Sequence, residues 1–413
     1  RTYRTKEPCK DGNAWQNFWC TDYENKSQTM LGHEQRDWLI NGLTTSTAKW
    51  KVWGNQTLLA QLAGPLDQIE GVEDTFYAIL ESLVYAGAEP VDLSSAAPIT
   101  TENVSGASVV MTPQLASEDE WAETFDSLIS SDGNFVAATG YDEVDDFVQI
   151  WDLSTGESVA LVYEDAWTMA IDPDGNIIGT NSTDTLTVIS PEGEVLDGIT
   201  LSGLGENVNE FRFNDDGNLL LASGNNDSET TDYTLYDLST GEAISEFTSD
   251  YSRAAAISND GSMVALIAPP YSDMQTLTVV DTATGEILYT IEESNYISDA
   301  AFSSDNSHIF YNHDSNGILY IAMYDLENDE IVYGYDAMML ESIGYLTFMA
   351  DDSIVVGVAY NVVVFFDAET GRRLRSIETG IDGRANAISI SEDERFIVTS
   401  AYGQTVVIAV GGE

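Results

Sequence analysis

Seventy Asp and Glu residues stand in this chain against 15 Lys and Arg and three His. Carboxylates can hold a divalent cation when several oxygens converge. Two stretches have the density for it. Asp142, Glu143, Asp145 and Asp146 lie in GYDEVDD (140–146), and Asp172 and Asp174 lie in DPDGN (172–176). Calcium is the ion such oxygen sets would take. Neither stretch has the Asp-x-Asp-x-Asp-Gly spacing of a calcium hand, and carboxylates this abundant also crowd solvated turns with no metal at all. Nucleophilic chemistry has less to draw on. His33, His308 and His313 have no partner at ligand spacing, and no Ser-His-Asp array, Cys-His pair, phosphate loop or dinucleotide glycine motif is apparent. No cofactor and no catalytic residue is therefore predicted.

A second kind of chemistry is recognition. Aromatics and Arg dominate interface energetics. Polar loops between apolar runs present Trp167, Tyr251, Tyr271, Tyr296 and Arg384. These are the expected anchors for a partner. The plain alternative is that they are ordinary wall aromatics and surface loops.

The elements that must position these residues come from a repeat. SLISSDGNFVAAT, AIDPDGNIIGT, FRFNDDGNLLLAS, AISNDGSMVALI, AFSSDNSHIFYN, TFMADDSIVVGV and ISISEDERFIVTS each place an acidic turn between two apolar runs. Their marker residues are Asp132, Asp174, Asp216, Asp260, Asp305, Asp352 and Asp393, stepping by 42, 42, 44, 45, 47 and 41 residues. A second turn follows in the first six units, as in IWDLSTGESV and LYDLSTGEAI. Asp, Asn and Ser cap such turns, and Gly accepts positive φ. Each unit thus supplies four strands, the content of one propeller blade. The period resembles WD40 and YVTN-type repeats, although only Trp151-Asp152 forms a true Trp-Asp pair. The expected fold is mainly β, a seven-bladed β-propeller over 106–413 with a small α/β segment before it. The seventh unit lacks its outermost strand. The orphan run ASVVMTP (107–113) is expected to supply it, which leaves no open edge.

The N-terminal piece has another character. RTYRTKEPC, LGHEQRDWL and STAKWKVWGNQ, in that order within 1–65, resemble the PhoD-like alkaline phosphatase/phosphodiesterase family. The resemblance implies phosphate-ester hydrolysis at a calcium- and iron-bearing centre, with Arg1, Tyr3 and Arg4 matching a motif near it. The ligands expected before RTYRT and the downstream Gly-Asp-x-His element are both missing from this sequence. We therefore expect residues 1–70 to be a catalytically silent fragment. A helix is expected over 33–43 and a buried strand over 50–54. GVEDTFYAILESLVYAG gives an amphipathic helix over 73–86, and 88–106 reads as a polar linker. Together 71–105 join the two parts.

Charge narrows the function further. The net charge is −55. Residues 1–51 hold eight Lys/Arg against six acids, whereas 52–413 hold seven Arg, no Lys and 64 acids. Such a surface repels nucleic-acid backbones and anionic lipid. Self-repulsion on this scale is screened in concentrated salt. We expect a salt-adapted protein; an acidic secreted protein is the alternative. Cys9 and Cys20 suggest one small-loop disulfide in an oxidising compartment, the alternative being two free thiols. With five Asn-x-Ser/Thr sequons, an extracellular, cell-surface or periplasmic location is expected, in a mature or trimmed form. No apolar run is long enough to span a membrane as a helix. The leading expectation is a binding or assembly module with a protein partner or copies of itself. The basic segment 1–51, with five of the eight tryptophans at or just beyond it, can dock on an acidic ring. The alternative is a metal-dependent phosphodiesterase with a propeller accessory domain.

Overall fold

A computed structural model describes residues 93–410 apart from 94–95, 116–121, 182, 205–207, 227–228, 270–273, 293–295, 316–317, 337–342, 382 and 402. The calls on the Cys9/Cys20 pair, the N-terminal helix and strand, the 73–86 helix and Tyr271 fall outside the described residues. The chain divides into units 1–87 and 88–413, and only the second is described.

Among the described residues the structure is nearly all β. Seven antiparallel sheets, each of four strands, follow one another along the chain. They span 123–162, 169–200, 208–250, 253–292, 297–336 and 344–378. The seventh combines Ala387–Ile390, Phe396–Ala401 and Gln404–Val410 with a strand from far upstream, Ala107–Met111. That strand pairs antiparallel with the last one, Ala107 opposite Val410 and Met111 opposite Val407, with a bulge between Val109 and Met111.

The burial pattern explains why the sheets must form a ring. Middle strands such as Ile354–Ala359 and Phe396–Ala401 are buried at every position. Outermost strands such as Glu242–Asp250 are largely exposed. A sheet with two apolar faces needs a neighbour on each side. One apolar cluster lies in each of the seven seams. Ile150 and Ala137 of blade one meet Ile177 and Ile189 of blade two. Trp151 and Val136, also of blade one, meet Phe396 and Val407 of blade seven.

The acidic turn joins the first two strands of each blade, and its chemistry is local. Ser130 donates its hydroxyl to Asp132 at 2.8 Å and accepts the Asn134 and Phe135 amides. Gly133 follows at φ 68. Blade six differs from the expected register. Asp351 accepts the Ser353 amide, while Asp352 occupies the glycine position at φ 56. The marker there is Asp351, not Asp352, because two consecutive aspartates fit one motif and only backbone conformation separates them.

These turns also touch around the ring. In blades five, six and seven the left-handed position carries Asn306, Asp352 and Glu394. Each side chain reaches the preceding blade's turn and accepts the amide of Asn259, Ser304 or Asp351. A non-glycine residue at positive φ costs on the order of 1 kcal/mol, and a cross-seam hydrogen bond offsets it.

The end of the expected linker is part of the ring. Ile99 and Val104 are buried in the seam of blades six and seven, and the Ile99 amide donates to Glu394. Two apolar side chains and their backbone bonds outweigh the polar composition of this stretch.

Glycine identity in the turns yields a test. A Cβ on Gly217 would lie 1.8 Å from the Ile171 carbonyl oxygen of blade two, whereas one on Gly175 meets nothing within 4 Å. Both have positive φ. Gly175→Ala should cost about 1 kcal/mol from conformation alone, and Gly217→Ala clearly more, from the added clash. Paired chemical unfolding curves check the order; equal losses would contradict the packing of turn against neighbour.

Candidate functional site

In each blade the loop between the second and third strands and the connection to the next blade lie at the same end of the strands. Asp142, Glu143 and Asp145 lie in the first such loop of blade one, and Trp167 in its connection to blade two. The structure joins the acidic candidates to an aromatic one. Trp167 donates from Nε1 to Asp146 at 3.2 Å, and Tyr163 donates its hydroxyl to Asp142 at 3.4 Å. The loop is braced internally by Asp142, which accepts the amides of Val144 and Asp145. Tyr141, Val144, Tyr163 and Trp167 remain 38, 71, 43 and 44% exposed. The Asp165 carboxyl sits beside them and is held above the usual carboxylate range, by burial first and then by Asp146 and Asp145. The result is an apolar, aromatic patch edged with carboxylates. Tyr141, Val144 and Tyr163 were not among the sequence candidates; their exposure follows from loop placement, which residue type alone does not reveal.

The other candidates are distributed around the same face. Tyr296 and Arg384 are exposed and Tyr251 is half-buried, and no described contact joins them to Trp167. Asp172 is engaged by its own turn, where it accepts the Asn176 amide and side chain at 2.7 and 3.0 Å. Asp174 is exposed in the same turn. Among the described residues no three His, Cys, Asp or Glu groups come together as a ligand set.

A second group lies along the ring's inner strands. Asp126, at the start of blade one, accepts the Met169 amide of blade two at 2.8 Å and that of Ser127. Asp299 makes the same bridge from blade five to Leu346 of blade six at 2.9 Å. Both residues stand four positions before the turn that opens the acidic motif. Burial pushes the Asp126 carboxyl up to about 7, against the pull of the two amides. Burial also raises Asp299, while Arg212, the Leu346 amide and Arg253 act to lower it. Tyr345 occupies the corresponding position in blade six, at φ 54 and 45% exposed. Its phenol is raised by burial and then by Asp126 and Asp299, and lowered by Arg384 and Arg212. Charged groups of blades one, three and five, and of the connection into blade seven, thus act on this one phenol of blade six, on the side of the ring's central channel. Only Arg384 of this group was a sequence candidate. Aligning the units and reading the fourth residue before each turn gives Asp126, Thr168, Glu210, Ala254, Asp299, Tyr345 and Ala387. Polar residues at five of these seven positions within apolar strands are the signal.

Residues 1–106 match the family model of the PhoD-like phosphatases. The rest of the chain has no part in that match, which ends one residue before the closing strand at Ala107. None of the curated proteins matches the chain. Among solved structures the chain is similar to hydrazine synthase of Kuenenia stuttgartiensis, at 15% identity and a TM-score of 0.56, over 72% of this chain and 98% of that one. At that identity the likeness concerns the propeller fold alone. No helix among the described residues is long and apolar enough to cross a membrane.

The Asp126 bridge makes a pH prediction. Its carboxyl ionises near 3.8 when free and at about 7 in the fold. The folded state therefore holds the proton more tightly. This contribution to stability is complete below about pH 4 and is lost as pH rises through 7. Measured against Asp126→Asn, which does not titrate, the wild-type thermal midpoint should fall from about pH 5 to about pH 8. A constant difference across that range would show that Asp126 does not titrate there.

Proposed function

We propose that this protein is a binding and assembly module that docks a cationic protein surface on the aromatic patch of blades one and two. The observation that carries this reading is the patch itself. Tyr163 and Trp167 are pinned by Asp142 and Asp146 yet leave their rings open to solvent. Exposed aromatics held by a rigid scaffold give contact area at low entropic cost. The carboxylate edge selects Lys and Arg and rejects acidic partners. A partner of that charge is available in a second copy, whose residues 1–51 carry eight Lys/Arg against six acids.

The setting we propose is outside the cytoplasm and saline. The Lys-free acidic span supports the saline part, and the Cys9/Cys20 pair, read as a disulfide, supports the exported part. The thermal midpoint should rise between about 0.1 M and about 2 M KCl as self-repulsion is screened. A flat or falling midpoint speaks against salt adaptation.

Assembly is tested by mass in solution. The full chain should self-associate, and both deletion of residues 1–70 and the pair Tyr163→Ala, Trp167→Ala should shift it towards monomer. Unchanged mass in both variants rejects the reading.

The match over residues 1–106 favours a second reading, a metal-dependent phosphodiesterase with a propeller appended. Against it stands the lack, within residues 1–413, of the Gly-Asp-x-His element that the resemblance implies. Robust turnover of a nitrophenyl phosphodiester by this chain with calcium and iron would place the enzyme reading first.

A further inference from the structure

Among the described residues the outer rim of the ring carries one basic stretch. Arg372, Arg373 and Arg375 fall within four residues, at and just before the outermost strand of blade six, Arg373–Glu378. All three are exposed. Residues 52–413 hold seven Arg and no Lys against 64 acids, so three of the seven cations stand together on one edge. Arg375 donates to the Ala107 carbonyl of the closing strand at 3.4 Å. Among the described residues Arg372 and Arg373 enter no ion pair. The strand ends its sheet, and such an edge presents backbone amides and carbonyls to a further chain.

The complementary edge lies on blade three. Its outermost strand, Glu242–Asp250, has nine residues, against two to seven in the outermost strands of the other blades. Glu242, Glu246 and Asp250 are exposed along it, and Ile244 among them is 54% exposed. The other outermost strands hold two acids at most. Blades three and six stand three places apart in a ring of seven, almost opposite each other. A contact from one to the other uses different surfaces on the two copies, so it grows an open chain rather than a closed pair. Two bodies of net charge −55 repel each other at long range. At about 1 M salt the Debye length is about 3 Å. That screens the repulsion between whole rings, while side chains in contact lie near that distance and keep part of their attraction.

We propose that the arginine edge of blade six docks on the acidic outermost strand of blade three in a second copy of this chain, joining rings head to tail. The contact goes beyond the aromatic patch of blades one and two and stands without it.

Sedimentation equilibrium of the full chain carrying Tyr163→Ala and Trp167→Ala, in about 1 M KCl, isolates this contact. The mean mass should climb with protein concentration without stopping at the dimer, and climb less in about 0.1 M KCl. Adding either Arg372→Glu with Arg373→Glu, or Glu242→Arg with Glu246→Arg, should weaken association roughly tenfold or more, because like charges then face each other. All four side chains are exposed, so both variants should keep the circular dichroism of the folded ring. Arg375 is left in place for its bond to the closing strand. An equimolar mixture of the two variants should associate again, since each supplies the edge that the other has lost. A monomer at every concentration in the isolating background, or a mixture no more associated than its parts, would overturn the proposal. Loss in the Glu242/Glu246 variant with undiminished association of the Arg372/Arg373 variant would overturn it too, giving the acidic edge to residues 1–51 of the neighbouring copy.

Discussion

Every blade has two apolar faces, and that constraint governs the rest of the molecule. Sheets buried at each position of their middle strands, as at 354–359 and 396–401, are stable only when covered on both sides. The covering partner is always the next sheet, so the series must return on itself. The strand Ala107–Met111 ties the return by completing a sheet whose other strands lie about three hundred residues later in the sequence. Burial of Ile99 and Val104 beside it extends the same seam. The rigidity that holds Tyr163 and Trp167 open to solvent comes from this closure.

The sequence was most informative where local chemistry and tertiary structure agree. The turn motif is written in Ser, Asp and Gly because those residues satisfy its amides and its left-handed backbone, and the motif recurs at blade length. Register within the motif was less legible. The pair Asp351-Asp352 satisfies either reading until φ is known. Residues 96–106 read as polar because Pro, Thr, Ser and Asn outnumber the three side chains that are buried, Ala96, Ile99 and Val104. The aromatic patch was half legible. Trp167 and the Asp142–Asp146 loop were each visible by residue type, but their meeting depends on which strand ends face the same way. The channel groups Asp126, Asp299 and Tyr345 read as incidental polar residues, since their significance comes from superposing seven units.

The placement of positive charge follows no composition rule. Arg372, Arg373 and Arg375 are exposed along the outer edge of blade six, and Arg395 pairs with Asp393 at 2.5 Å while lying over Phe396. The other three Arg of residues 52–413, Arg212, Arg253 and Arg384, act on Asp299 and Tyr345. A surface rich in carboxylates thus surrounds a channel side where half-buried Arg212 and Arg253 act on the buried Asp299. Coulomb terms are stronger in such an enclosed place than at a hydrated exterior.

Blade two is the slenderest wedge of the circle. Its strands run Met169–Ile171, Ile177–Gly179, Thr185–Ile189 and Ile199–Thr200, shorter throughout than those of its neighbours. The turns that clasp adjacent wedges through Asn306, Asp352 and Glu394 lie elsewhere on the circumference. Breathing of the circle should therefore begin beside the very aromatics offered to a visitor. Anything that settles on Trp167 would act as a splint across that thin place, so occupancy and cohesion of the whole circle would rise together.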